Sequence, residues 1–231
     1  MPRLAFPFLA FFLLVAPCRG PAAETAAVIA AEPAHNFAQW ENEVAAYEAR
    51  DRLNPPPKGA ILFAGSSTIR FWKTLAADFP DKQVINRGFG GTEIVDATHF
   101  ADRLIFPHEP KAIFLRSGVN DIHNGKSPAR IFADFQDFVS VVHSRLPATD
   151  IWFIGLCPTI SRWPEAAANH ELNTLVEAYA KSAPRVHYID AWTISLDAAG
   201  QPRPELFMAD KLHFSAEGYK LLAARVRPCL P

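Results

Sequence analysis

The chain has 231 residues, 49% of them hydrophobic and 20% charged, with a formal net charge of −1. That balance excludes a disordered or fibrous chain and is ordinary for a globular one. Basic and acidic residues nearly cancel and form no basic stripe, so the electrostatic footprint of a nucleic-acid binder is missing as well.

Residues 1–23 read as a secretory signal peptide. Arg3 precedes an apolar run from Leu4 to Ala16, and Pro17-Cys18-Arg19-Gly20 and Pro21-Ala22-Ala23 follow. A basic start, a short apolar run and a small-residue exit are the parts of such a segment. The run is too short for a stable membrane span, and Pro7 and Pro17 argue against a buried helix. Cys18 admits a lipoprotein reading, which Pro17 before it disfavours. Cleavage near Ala23 removes Arg3 and Arg19 and no acid, taking the net charge to about −3. Cys157 and Cys229 then remain; exported, they either pair or stay as thiols.

Residues 24–58 read as an Ala-rich leader followed by a helix. Phe37, Trp40, Val44, Tyr47 and Leu53 recur at roughly helical spacing to about Arg52, and Asn54 to Pro57 end the helix. One domain is expected over 59–231. Apolar runs at Ala60–Ala64, Gln83–Ile85, Ala112–Leu115, Ile151–Leu156 and Val186–Ile189 lack alternation, as strands covered on both faces do. Helical periods fill the gaps at Ile69–Phe79, Glu93–Ile105, Pro128–Leu146 and Pro164–Ser182, and a last one spans Ala216–Val226. Alternating strand and helix predicts a three-layer α/β/α fold on a mostly parallel five-stranded sheet, with functional residues in the loops at the carboxyl ends of its strands.

Four motifs fall in those loops. Gly65-Ser66-Ser67 either presents a hydroxyl at a helix N-terminus or simply caps that helix, and it lacks the Lys and spacing of a phosphate loop. Gly88-Phe89-Gly90-Gly91 fails the dinucleotide fingerprint, because Glu93 stands where a third Gly or Ala belongs. Its glycines allow a backbone N–H to approach a ligand oxygen, or they only make a turn. In Gly118-Val119-Asn120-Asp121 the Asn120 amide can donate to an oxyanion or satisfy its own loop, and Asp121 reads as structural. Asp210-Lys211-Leu212-His213 spaces a carboxylate and an imidazole so that one can orient the other, although a solvated surface pair has the same spacing. Ser215 is the expected cap of the last helix. The other histidines are dispersed and no His-Glu-x-x-His occurs, so a metal site is not expected.

From about Ala60 to Val226 the chain resembles the SGNH, or GDSL-type, hydrolases, with the blocks in that family's order. Phe63-Ala64-Gly65-Ser66-Ser67, Asn86-Arg87-Gly88-Phe89-Gly90-Gly91 and Asp210-Lys211-Leu212-His213-Phe214-Ser215 are most similar to the branch of platelet-activating-factor acetylhydrolase subunits. The resemblance implies a flavodoxin-like sheet, Ser67 as nucleophile, His213 as base and Asp210 as its orienting acid. It also implies an oxyanion hole made by the Ser67 backbone, Gly91 and Asn120, and no cofactor or metal. Ser66 replaces the family's Asp, which is not the triad acid. The implied activity is that of a serine esterase; with the export read from residues 1–23, short-chain or acetyl esters of a small molecule or glycan are the expected substrates. Arg87, Arg116, His123, Trp163 and Trp192 are candidates for lining the site. An O-acyltransferase using the same serine and a non-catalytic ligand-binding member of the fold are the alternatives.

Overall fold

The apolar runs pair into one sheet of five strands: β1 (Ile61–Gly65), β2 (Val84–Gly88), β3 (Ala112–Arg116), β4 (Asp150–Ile154) and β5 (Val186–Ile189). Their order is β2-β1-β3-β4-β5 and every pair is parallel. The computed structural model describes Met1 and residues 35–231; the signal-peptide and leader expectations fall on residues 2–34, outside the described residues. The helices are α1 (Glu41–Leu53), α2 (Ser67–Arg70), α3 (Leu75–Asp78), α4 (Ile94–His99), α5 (Ala101–Leu104), α6 (Val119–His123), α7 (Pro128–Arg145), α8 (Ala166–Ala180) and α9 (Ala216–Val226). None among the described residues is long and apolar enough to cross a membrane.

The missing alternation in the strands has a direct cause. On one face of β1, Leu62 and Ala64 pack with Ile94, Phe135, Val142, Leu172 and Val176, contributed by α4, α7 and α8. On the other, Ile61 and Phe63 pack with Trp72, Leu75, Leu222 and Val226 from the α3 region and α9. Both faces are therefore core, and an apolar residue is favoured at every position. Phe63 lies at the centre of the second face, stacked on Phe114 at 4.9 Å and on Phe79 at 5.9 Å. Truncating it to Ala would cost about 3–5 kcal/mol.

Several boundaries differ from the sequence reading, each for a local reason. The helix expected over Ile69–Phe79 is two pieces, α2 and α3. The spacing of Ile69, Trp72, Leu75 and Phe79 reflects burial and not a continuous backbone; the break is held by Trp72 Nε1 and Thr74 Oγ1, both donating to Asp78. The helix expected over Glu93–Ile105 bends at Phe100, which packs against Phe37 and Phe89. β2 runs on to Gly88 through two polar residues, because Asn86 donates to the Ile69 carbonyl and Arg87 is neutralised by Asp51. β4 stops at Ile154, and beyond it the backbone of Leu156 is satisfied by both amide atoms of Asn173. Ser127 and Ser215 cap α7 and α9 as side-chain acceptors.

α1 packs on the β2 side of the sheet. Val44 is fully buried with Phe89, Phe100 and Leu104, and Trp40 and Tyr47 lie against them. Cys157 and Cys229 are both free thiols.

Candidate active site

Three neighbouring strands end at the same height. Gly65 is in register with Gly88 on one side and Arg116 on the other. With strands ~4.8 Å apart, the loops carrying Ser67, Gly91 and Asn120 leave the sheet side by side.

The first of these loops turns at Gly65, whose φ is +130°; a Cβ there would fall 2.1 Å from the Arg116 carbonyl oxygen, so only glycine fits. Ser66 then runs extended, buried, with its N–H donating to that carbonyl at 3.1 Å. It precedes α2 but its side chain makes no capping bond, so the bland capping role is not what the hydroxyls serve. Ser67, the first residue of α2, is half-buried. Its Oγ lies 2.9 Å from His213 Nε2.

His213 is oriented from its own loop. Its Nδ1 is 2.7 Å from Asp210 Oδ2, while Asp210 Oδ1 accepts the backbone N–H groups of Leu212 at 2.9 Å and His213 at 3.0 Å. Burial acts to raise the Asp210 carboxyl, but these bonds outweigh it and hold it at about 2. An ionised Asp210 requires Nδ1 to carry the proton, which leaves Nε2 to accept from the Ser67 hydroxyl. Lys211, at φ +58°, makes the tight turn between acid and base. Met208 N–H donates to the His213 carbonyl and Ser161 N–H to that of Lys211, closing the loop on the segment after β4. Phe71 packs edge-on against the imidazole at 4.8 Å.

The donor side is braced differently. Asn120 follows the turn at Gly118, and its amide is held at both ends: Nδ2 donates to Thr92 O at 3.0 Å, and Oδ1 accepts from Arg162 Nη1 at 3.1 Å. One amide hydrogen stays available for an oxyanion. Arg162 also donates to Val119 O. Sequence reasoning passed over it, since nothing in Ser161-Arg162-Trp163 marks a guanidinium that reaches back to α6. Gly91 has φ +81°, and a Cβ there would meet the Trp40 ring at 3.0 Å. α1 holds the same loop through Tyr47 Oη donating to Gly88 O at 2.6 Å, and holds α2 through Glu43 paired with Arg70 at 3.0 Å.

Behind both donor loops lies a buried charge cluster. Asp121 accepts the Ile94 N–H at 3.1 Å, and Lys126 reaches Glu93 at 2.8 Å and Asp134 at 3.1 Å. Asp121 is thus structural, fastening α6 to the start of α4. Of the expected lining residues, Arg87 and Arg116 are buried beneath the loops, and Trp192 meets His170 away from Ser67, beside a separate cavity. His123 pairs with Glu165 at 2.7 Å near Arg162, and Trp163 is exposed, as is Met208 on the loop bonded to its neighbour Ser161. A cavity of about 850 Å³ opens between α1 and the β2 edge, but Ser67, Asp210 and His213 do not line it; chemistry and not volume marks this site. Among the described residues no group of three or more His, Cys, Asp or Glu could hold a metal ion.

Known proteins share the fold and, by a family model, the family. The chain superposes on a Streptococcus pneumoniae protein provisionally described as a platelet activating factor (TM-score 0.74, 20% identity, covering 84% of this chain and 94% of that one). It also matches a GDSL-like lipase from Bacteroides thetaiotaomicron (TM-score 0.66, 17% identity, 84% and 96% covered). A third match is a variant of Axe2, an acetylxylan esterase from Geobacillus stearothermophilus (TM-score 0.60, 16% identity, 74% and 94% covered). At these identities the likeness establishes the fold. No curated protein matches. The model of the GDSL-like lipase/acylhydrolase family matches residues 59–221, so the chain belongs to that family of hydrolases.

Proposed function

We propose that the chain is an exported serine esterase that cleaves short-chain esters, above all acetyl esters, through an acyl-enzyme on Ser67. The observation that carries this reading is the unbroken hydrogen-bonded series from Ser67 Oγ to His213 at 2.9 Å and from His213 to Asp210 at 2.7 Å. His213 takes the hydroxyl proton as Ser67 attacks the carbonyl carbon, and Asp210 stabilises the imidazolium that forms. The oxyanion develops beside the Ser67 and Gly91 N–H groups and the Asn120 amide. The imidazolium then protonates the departing alcohol, and water attacking the acyl-enzyme through the same base releases the acid. Small acyl groups on large alcohols are favoured by the short connections between the motifs and by Trp163 and Met208, two exposed apolar side chains on the segments that the Ser161 N–H joins to the Lys211 carbonyl. One structural neighbour acts on acetyl-xylooligosaccharides. Export rests on the composition of residues 1–23 alone.

Hydrolysis of p-nitrophenyl acetate, butyrate and octanoate tests the reading. Acetate is expected to be cleaved fastest, and Ser67→Ala to abolish cleavage. A folded wild type that cleaves none of them contradicts it. Product analysis with an added sugar acceptor separates hydrolysis from acyl transfer.

A further inference from the structure

Two arginines are buried at the carboxyl end of the sheet, and only one has a counter-charge. Arg87 Nη2 lies 2.7 and 2.6 Å from the two carboxylate oxygens of Asp51. Arg116, 4% exposed, has no carboxylate within 4.0 Å among the described residues, and its Nε has no partner. Its acceptors are the Gly155 carbonyl at 2.5 Å and Cys157 Sγ at 3.0 Å. The guanidinium carbon lies 5.5 Å from the centre of the Phe214 ring.

A buried cation without a counter-charge is a poor source of stability. Its location explains what it does instead. The Arg116 carbonyl receives the Ser66 N–H beside the nucleophile, and its side chain lies under Phe214, beside the base. Arg116 thus touches both loops, one through its backbone and the other through its guanidinium.

We propose that Arg116 is a positioning residue for the Ser67–His213 pair: anchored on Gly155 and Cys157, its guanidinium seats Phe214 and thereby holds the imidazole against Ser67. The proposal rests on the esterase reading for its kinetic consequence, and on the packing alone for its structural one. Arg116→Met keeps the length and removes charge and fork. It is expected to lower kcat on p-nitrophenyl acetate about 10-fold or more with KM within twofold, in a chain that stays fully folded at the assay temperature. Arg116→Lys, which restores the cation under the ring, is expected to recover most of the loss. Hydrogen exchange of residues 208–214 is expected to quicken in Arg116→Met while the strands stay protected.

Wild-type kcat in Arg116→Met would overturn the proposal. So would a loss of kcat that follows a fall in Tm and is not recovered by Lys. If the wild type cleaves no ester, the esterase reading fails by itself and exchange decides: faster exchange confined to 208–214 supports the role, and unchanged exchange overturns it.

Discussion

Asp210 and Asp121 each belong to a motif that the site uses, yet their surroundings drive them in opposite directions. Asp210 is exposed, and although its partial burial acts to raise it, the His213 ring and the N–H groups of His213 and Leu212 hold its carboxyl at about 2. Asp121 is fully buried; burial pushes it up to about 7, against the Ile94 N–H and Lys126, with Glu93 adding to the rise. An acid that must balance an imidazolium needs to stay ionised, whereas one that ties two loops together need only accept a hydrogen bond. The comparison teaches that burial and hydrogen-bond supply together separate the two: burial dominates at Asp121, whereas at the exposed Asp210 the hydrogen bonds outweigh it.

The largest effect is expected where the nucleophile is removed. Ser67→Ala should reduce ester cleavage by at least ~10³-fold, while Ser66→Ala should stay within a few-fold, since Ser66 is buried and the hydroxyl bonded to His213 Nε2 is that of Ser67. Next, the two aspartates should part company: Asp210→Asn, which favours the wrong tautomer, should lower kcat by about 10²–10⁴-fold, and Asp121→Asn only slightly. Equal losses at both would break the comparison. On the donor side, Asn120→Ala should cost ~10²–10³-fold in kcat. Arg162→Met should show a smaller loss of the same kind, with KM little changed, because it acts by holding the Asn120 amide.

The smallest effect is on stability and has a defined sign. Asp121 is raised in the folded state, so between about pH 4 and pH 7 the folded chain keeps a proton that the unfolded chain releases, and its contribution falls as pH rises through that window. Asp210 is lowered, so its contribution is present above about pH 4 and is lost as pH falls toward its folded value. Urea unfolding from pH 4 to 8 should therefore show a shallower decline in Asp121→Asn than in wild type. An identical slope would show that Asp121 does not carry that proton.

Most of the fold was legible because burial on both faces writes strands as continuous apolar runs, as at Ile61–Gly65 and Ala112–Arg116. What escaped was backbone continuity. The break between α2 and α3 leaves the apolar spacing intact, and Asn86 and Arg87 continue a strand with polar residues whose partners, Ile69 O and Asp51, are distant in sequence. The same limit applies at the site. Asp210-x-x-His213 was readable because acid and base share one turn. Arg162 and the Trp40 and Tyr47 braces were not, since each acts across more than 30 residues on a loop with no local trace of it.

The most direct test of the central claim is fluorophosphonate labelling of the folded protein followed by peptide mapping of the adduct. The account predicts one covalent phosphonyl group, on Ser67, lost in Ser67→Ala and retained in Ser66→Ala. Labelling of Ser66, or no adduct on a folded chain, would contradict it.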